Sequence, residues 1–248
     1  MQEIARKFGD DRRTEIGNGE IGLEDEDLIP VEDCIFTLTE AGYIKRQVVD
    51  TYKAQHRGGR GITGMKTKEE DVVKSLFSAS THDMILFFTT RGRVYRLKGY
   101  EVPESSRTAK GTNVVNLLPL ESEERVNAMI RIQSFEQGGN LIMATRNGPV
   151  KKTPLSEYSN IRKSGVIAIV LEEEDDLIDV MLTSGEDMVM LATHEGKAIR
   201  FGEEDVRSMG RATKGVRGIR LQGEDYVVGM AIPDEGKNLL SITEYGYG

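Results

Sequence analysis

The sequence predicts an all-β fold, a propeller-like array of four-stranded blades with four complete blades and the start of a fifth. Three observations support this: a recurring Thr-x-x-Gly signature, its spacing of about fifty residues, and an apolar run before each signature. Four short strands in each unit of about fifty residues are typical of propeller blades. A β-sandwich or a pair of duplicated barrels is the alternative, but such folds seldom keep so regular a period.

The Thr-x-x-Gly signature recurs five times, as in LTEAGYIKR at 38–46 and FTTRGRVYR at 88–96. Apolar runs such as ILFF at 85–88 precede it, and its glycine supplies the positive φ that a tight reversal needs. We therefore expect a hairpin at each signature. The signature threonines, spaced by 50, 56, 48 and 50 residues, are Thr39, Thr89, Thr145, Thr193 and Thr243.

A second glycine, followed by another apolar strand, marks the later part of each unit. It lies 22, 22, 20 and 22 residues after the threonines, at Gly61, Gly111, Gly165 and Gly215. Between the two markers an apolar column is expected in the core, formed by Tyr52, Val102, Tyr158 and Val206. An acidic turn and one more strand close each unit, and we expect each unit to form one blade. The predicted blades are 34–80, 81–134, 138–184 and 185–234, with the start of the next at 236–248.

The formal net charge of −8 is concentrated before the repeats. Residues 1–33 contain 11 of the 41 acidic residues and only 4 of the 33 basic ones, so the rest of the chain is nearly neutral. We interpret 1–33 as a linker and acidic leader from a preceding domain, and 34–248 as the repeat domain. A nearly neutral domain can still bind a polyanion if its cations are sorted onto one surface.

Basic residues recur at equivalent positions of the repeats. Four positions after each turn glycine stand Arg46, Arg96, Lys152 and Arg200, and Lys45 and Lys151 precede two of them. Near the second glycine stand Arg57, Arg60, Arg107, Lys110, Arg162, Lys163, Arg211 and Lys214. Exposed strand ends favour Lys and Arg for solubility, but solubility requires no common position. A belt of cations in register is complementary to the phosphates of bent duplex DNA, contacted without base readout.

The stretch QHRGGRG at 55–61 is a candidate phosphate clamp. Its glycines allow the main-chain N–H groups to approach phosphate, and arginine guanidinium groups suit phosphate oxygens. The stretch GRGITG also matches the dinucleotide fingerprint, but that motif needs a buried strand before it and a helix after it. The preceding TYKAQHR is polar, which disfavours the nucleotide interpretation. The DNA-binding set predicted from this clamp is Gln55, Arg57, Gly58, Gly59, Arg60 and Gly61.

Other functional classes find less support. A protein-binding propeller scaffold would present aromatic hot spots on its loops, but the chain has no tryptophan. A propeller hydrolase would need carboxylates or a triad converging from several blades, and no such set stands out. The three histidines are far apart and Cys34 is the only cysteine, so no zinc spacing appears. No signal-peptide or membrane-spanning run is present, and we expect a cytoplasmic protein without a membrane partner.

With these residues the chain resembles the C-terminal domain of DNA gyrase A subunits, over essentially its whole length. Gln55 to Gly61 matches the family box Q-R-R-G-G-K-G, with His56 in place of an arginine and Arg60 in place of a lysine. The related topoisomerase IV subunit is the alternative, but its box tends to be degraded. The resemblance implies a β-pinwheel that wraps duplex DNA around its outer rim. The family usually has six blades.

The resemblance also implies which parts of the enzyme lie elsewhere. In the family, the catalytic tyrosine belongs to the N-terminal part of the gyrase A protein, and the ATP and Mg²⁺ sites belong to the gyrase B subunit. We therefore expect no catalytic residue, metal or cofactor in this chain. The implied partners are duplex DNA, a second copy of gyrase A and the gyrase B subunit. Together they form an ATP-dependent enzyme that introduces negative supercoils and is associated with the nucleoid.

Overall fold

The computed structural model describes residues 25–49, 71–106 and 108–234, together with Gly236 and Asn238. The chain divides into two compact units, Met1–Pro30 and Val31–Gly248. In the first unit, the described part contains a 3-10 helix at Asp25–Leu28. In the second unit, the described regular structure is β-strand joined by short 3-10 turns.

Fifteen strands are described, most of them five to eight residues long. They are β1 Asp33–Thr39, β2 Tyr43–Val48, β3 Val73–Ser80, β4 Met84–Thr89, β5 Arg93–Lys98, β6 Thr112–Asn113, β7 Val126–Ile132, β8 Asn140–Thr145, β9 Pro149–Pro154, β10 Val166–Ile167, β11 Leu177–Thr183, β12 Met188–Thr193, β13 Ala198–Gly202, β14 Val216–Arg217 and β15 Val227–Ala231.

The strands form four separate antiparallel sheets. Three have four strands, in the orders β3-β1-β2-β6, β10-β5-β4-β7 and β11-β8-β9-β14, and the described part of the fourth is β13-β12-β15. The predicted hairpins β1–β2, β4–β5, β8–β9 and β12–β13 are all present. Their turn glycines have positive φ, from 71° at Gly92 to 98° at Gly148. The all-β fold with four-stranded blades is therefore confirmed.

The fourth strand of each complete sheet comes from the next repeat. This exchange differs from our expectation that each unit forms its own blade. The exchanged strands are β6, β10 and β14, which pair with β2, β5 and β9 of the preceding repeat. A hairpin brings only consecutive strands together, whereas a strand twenty residues later can add to either neighbouring sheet. The repeat period therefore does not reveal the exchange. Because of the exchange, the polypeptide chain of each repeat contributes strands to two successive blades.

The core lies between successive sheets and follows the two-residue period of the strands. In β4, Ile85 and Phe87 pack with residues of the first sheet, whereas Leu86 and Phe88 pack with residues of the third. Successive side chains of a strand point to opposite faces, so both faces of this blade are covered. This explains why the central strands are apolar runs and do not alternate with polar residues.

The two edges of the sheets are not equivalent. Strands β3, β7, β11 and β15 contact one another across neighbouring sheets, so this is the edge at which the sheets converge. The exchanged strands form the opposite, outer edge in each complete sheet. Segments 103–111, 159–165 and 207–215, called the approach loops, lead into the exchanged strands. The described cations of the second-glycine markers therefore lie in loops that lead to the outer edge.

Candidate nucleic-acid interface

The strand column, defined as Arg46, Arg96, Lys152 and Arg200, occupies one register position in all four blades. Its members lie on the second strand of each hairpin and pair with Phe36, Leu86, Ile142 and Met190. The equivalence inferred from the repeat is therefore a structural equivalence: each side chain leaves the same face of its blade.

Three members of the strand column bind a main-chain carbonyl of the next repeat. Arg46 Nε donates to Val102 O at 3.1 Å, and Arg96 Nη1 donates to Ser159 O at 3.4 Å. Lys152 Nζ donates to Glu203 O at 2.7 Å. These carbonyls belong to the 3-10 turns of the following blade or to their C-caps. The column recurs because it joins successive blades, so its periodicity alone does not require a polyanion.

The members of the strand column differ in their access to solvent. Only 12% of the Arg46 side chain is exposed, and this residue also lies 3.8 Å from a Glu104 carboxylate oxygen. Lys152 is half-buried, whereas Arg96 and Arg200 are exposed. Arg96 and Arg200 are therefore the members best able to meet a phosphate.

The prediction that Lys45 and Lys151 contact DNA is corrected by the structure, because both are fully buried. Each of these lysines directly precedes a strand-column residue and therefore points to the opposite face of its strand, which another blade covers. Burial lowers the pKa of Lys45. Burial and the Arg211 charge lower the pKa of Lys151 to about 8, although Glu157 opposes this shift.

The described approach loops carry the remaining predicted cations. Arg162, Lys163 and Lys214 are exposed. Lys214 Nζ lies 3.0 Å from Glu172 Oε1, but both side chains are more than half exposed, so the pair is weak and easily exchanged for a phosphate. Lys110 is half-buried, and its Nζ lies 3.4 Å from the centre of the Tyr43 ring.

Two successive approach loops come together around one open groove. This loop groove consists of adjoining hollows of about 420 and 520 Å³, and its walls include Arg93, Glu157, Arg162, Gly165 and Arg211. Nη1 of Arg211 is buried and has no hydrogen-bond partner among the described residues. The groove therefore combines three guanidinium groups with one carboxylate.

Arg93 is a groove residue that the sequence interpretation missed. Its Nη2 donates to Ser164 O at 2.6 Å, and its Nε donates to the Tyr95 hydroxyl at 3.2 Å. The equivalent positions in the other repeats are Tyr43, Pro149 and Lys197, so no basic column runs through this site. A search for recurring charge could not find Arg93, since only the exchange of β10 places it beside the loop.

Part of the predicted site lies outside the described residues. These residues are Gln55, Arg57, Gly58, Gly59, Arg60, Gly61 and Arg107. Among the described residues, the candidate interface consists of the exposed strand-column residues and the approach-loop cations. Within the described residues, no helix is long and apolar enough to cross a membrane.

Comparisons with known proteins identify the family. A family model described as the DNA gyrase C-terminal domain, a beta-propeller, matches residues 35–80, 83–133, 139–184 and 187–234. The DNA gyrase A protein of Klebsiella oxytoca is 51% identical over 240 residues, covering 97% of this chain and 27% of that protein. Its counterpart in Staphylococcus aureus (strain COL) is 50% identical over 252 residues, covering 100% of this chain and 28% of that protein.

Solved structures agree with the family assignment. The C-terminal domain of DNA topoisomerase IV has a TM-score of 0.72 and 32% identity, covering 84% of this chain and 63% of that one. The DNA gyrase A C-terminal domain has a TM-score of 0.63 and 25% identity, covering 80% of this chain and 64% of that one. The chain spans only about a quarter of the length of its curated relatives. Because the family model matches four segments that together span most of the residues, this chain belongs to the DNA gyrase C-terminal domain family.

Proposed function

We propose that this domain binds duplex DNA without sequence specificity and bends it along the outer edge of the sheets. The observation that carries the proposal is the loop groove, where Arg162 and Arg211 from two successive approach loops meet Arg93. Guanidinium groups at the outer edge of successive blades suit a curved line of phosphates, because each can form two parallel hydrogen bonds to phosphate oxygens.

Phosphate contacts alone are sufficient for such binding. They position a duplex without reading its bases, and they release condensed counterions. Smooth bending costs on the order of 1 to 6 kcal/mol for 20 to 30 base pairs, so the contacts at each bend must contribute more than this. We expect the groove residue Arg211 and the exposed residues Arg96, Arg162, Lys163, Arg200 and Lys214 to supply these contacts.

The role in the whole protein follows from the family. We propose that the chain is the DNA-wrapping part of a gyrase A protein and presents a bent segment to the enzyme's cleavage site, so that ATP-driven strand passage introduces negative supercoils. Its partners would be a second gyrase A protein and the gyrase B subunit, and it would act in the cytoplasm on nucleoid DNA. A topoisomerase IV subunit is the related alternative, and about 50% identity to gyrase A proteins supports gyrase.

Binding to linear duplexes of increasing length, measured across a salt series, tests the proposal. If about 8 to 10 phosphates are neutralised, log K should fall with log salt with a slope of about −7 to −9. Affinity should also rise with duplex length until the wrapped segment is complete. Affinity that is independent of length would reject wrapping, and salt-independent binding would reject phosphate contacts and favour a protein-binding scaffold.

Supercoiling by the full-length protein tests the phosphate clamp at 55–61. Replacing Arg57 and Arg60 by alanine should abolish supercoiling by the reconstituted enzyme while leaving relaxation or decatenation active. DNA cleavage and strand passage use other parts of the family's enzyme, so these activities are the internal control. Unchanged supercoiling would remove the special role we assign to this loop.

A further inference from the structure

A buried lysine joins the approach loop at 207–215 to the residue that follows β10, the strand into which the approach loop at 159–165 leads. Lys151 has no exposed surface, and its Nζ donates to Ala168 O at 2.6 Å and to Arg211 O. Ala168 directly follows β10, which belongs to the second sheet, whereas Arg211 leads into β14 of the third sheet. One ammonium group therefore bonds the main chains of two segments that belong to different sheets.

We propose that Lys151 is a positioning residue that sets the spacing between the approach loops carrying Arg162 and Arg211, and with it the spacing of successive phosphate contacts. This inference rests on the proposed DNA binding and deepens it. Lys151 cannot reach DNA from its buried position. It acts through the main chain of the loops, and the guanidinium groups that those loops carry make the contacts.

Neighbouring contacts support a joint between the segment that follows β10 and the approach loop at 207–215. Val170 N donates to Thr213 O at 3.0 Å, which links the same two segments directly. The Tyr158 hydroxyl donates to the Ala168 carbonyl at 3.3 Å, so this oxygen receives hydrogen bonds from both Lys151 and Tyr158. A carbonyl with two such donors is held more firmly than one that faces solvent, because its orientation is determined from two sides.

A cation at this position needs an explanation, because it lies close enough to Arg211 for their charges to repel. Burying an ammonium group is unfavourable unless hydrogen bonds replace its hydration. An apolar side chain would fill the space at lower cost, but it could not bond two carbonyls. The geometry is consistent with a residue whose role is to hold the loops in position.

The first blade contains a related contact, in which a buried lysine anchors a single approach loop. Lys45 occupies the register position equivalent to Lys151, and its Nζ donates to Ala109 O at 3.1 Å and to Ser106 O at 3.4 Å. These carbonyls belong to the approach loop of the first sheet. In the second and fourth blades the position is occupied by Tyr95 and Ile199. Lysine anchoring is therefore a property of the first and third blades among those described.

Lys151→Met in the 248-residue chain tests the inference, because methionine keeps the length and flexibility of the side chain but removes its donors. Amide hydrogen exchange at 209–214 should become at least about 10-fold faster, and affinity for duplex DNA should fall about 5- to 10-fold. In an Arg162→Ala, Arg211→Ala background, the same change should lower affinity by less than about twofold, because the contacts it positions are already absent.

Two further variants control the experiment. Ile199 occupies the equivalent register position in the fourth blade, and among the described residues it bonds no approach loop. Ile199→Met should therefore change neither exchange at 209–214 nor DNA affinity. Lys151→Arg retains donors at the site and should restore slow exchange and at least half of the lost binding. A merely structural role would not make the loss of affinity depend on Arg162 and Arg211.

The outcomes separate this inference from the proposed function. If the unmodified chain does not bind duplex DNA, the proposed function fails, whatever exchange shows. If the chain binds DNA, two results overturn the inference. In the first, Lys151→Met changes neither exchange at 209–214 nor affinity. In the second, it lowers affinity equally in the unmodified chain and in the Arg162→Ala, Arg211→Ala background. Should Lys151→Met not fold, Lys151→Gln, whose shorter side chain withdraws the donor from the two carbonyls, applies the same test at 209–214. An unchanged exchange rate and affinity in this variant overturn the inference.

Discussion

Gly215 lies directly against the carbonyl group of Val150: a Cβ atom built on this glycine would come within 2.4 Å of the Val150 oxygen. The backbone of Gly215 also has a φ of +92°, a conformation that residues with a side chain rarely adopt. The last residue of the approach loop thus crosses β9 at a distance that only glycine permits. This close crossing explains the second glycine marker of the fourth repeat.

Gly215→Ala should therefore lower the stability of the domain substantially. The left-handed conformation and the clash with a main-chain atom together should cost about 2 to 4 kcal/mol, measured by urea unfolding. Gly210→Ala is the matched control in the same loop, because a Cβ there would meet no atom within 4 Å. The control should change stability by less than about 0.5 kcal/mol, and equal effects of the two substitutions would contradict the explanation.

Arg162→Gln should weaken DNA binding without changing stability. Arg162 is exposed in an approach loop, so removing one phosphate contact should reduce the magnitude of the salt slope by about 1. Arg131→Gln removes the same charge from β7, at the opposite edge of the sheet that β10 completes, where the side chain pairs with Asp83 at 2.7 Å. Its salt slope should not change. Similar changes for both variants would indicate a diffuse charge effect.

Asp179→Asn should stabilise the domain above pH 6. Burial raises the pKa of Asp179 to about 6, although hydrogen bonds from the Val180 and Met230 amides and the charge of Lys74 oppose the shift. Because the folded-state pKa lies above the unfolded value of 3.8, stability increases as the pH falls from about 6 to about 4.

The asparagine variant lacks this titration, so its advantage should be largest at neutral pH and small near pH 4. A difference of up to about 3 kcal/mol between these conditions is expected, since one pKa unit corresponds to about 1.4 kcal/mol. Urea unfolding of both proteins at about pH 4.5 and about pH 7.5 measures it. An advantage that does not depend on pH would show that the Asp179 carboxyl is not the titrating group.

Glu203→Ala should be among the most destabilising single changes in the fourth repeat. The Glu203 side chain is fully buried and accepts hydrogen bonds from Asn140 Nδ2 and Thr183 Oγ1, both at 2.9 Å. It also accepts from the amides of Gly185 at 3.0 Å and Asp187 at 3.3 Å. Removing the carboxylate leaves these donors without their acceptor, which should cost at least about 3 kcal/mol in urea unfolding.

The neighbouring Glu204 provides the control for this prediction, because it is exposed. Glu204→Ala should change the free energy of unfolding by less than about 0.5 kcal/mol. Glu203→Gln keeps the shape of the side chain and one acceptor oxygen, so its effect should lie between the two alanine variants. A small effect of Glu203→Ala would mean that water satisfies the four donors.

The strand column shows that basic residues can recur at one register position for a reason other than DNA binding. Arg46, Arg96 and Lys152 do share one register position, as their spacing predicts. All three, however, donate hydrogen bonds to the following repeat, so joining blades also accounts for their recurrence. Charge at an equivalent position indicates a shared environment. Whether that environment is solvent, DNA or another blade depends on what covers the strand.

Local structure could be predicted from the order of residues alone: the hairpins at the Thr-x-x-Gly signatures of the four described blades, and the apolar central strands. These features follow from turn geometry and from burial of both faces of a strand, which act within a few residues.

Three features depend instead on how the repeats pack: β6, β10 and β14 join the preceding sheet, Lys45 and Lys151 are buried, and Arg93 lies beside the approach loop. Pairing across about twenty residues, and the covering of a strand face by another blade, are set by contacts between repeats. The period along the chain is the same for either choice of partner sheet, so the sequence pattern cannot distinguish them.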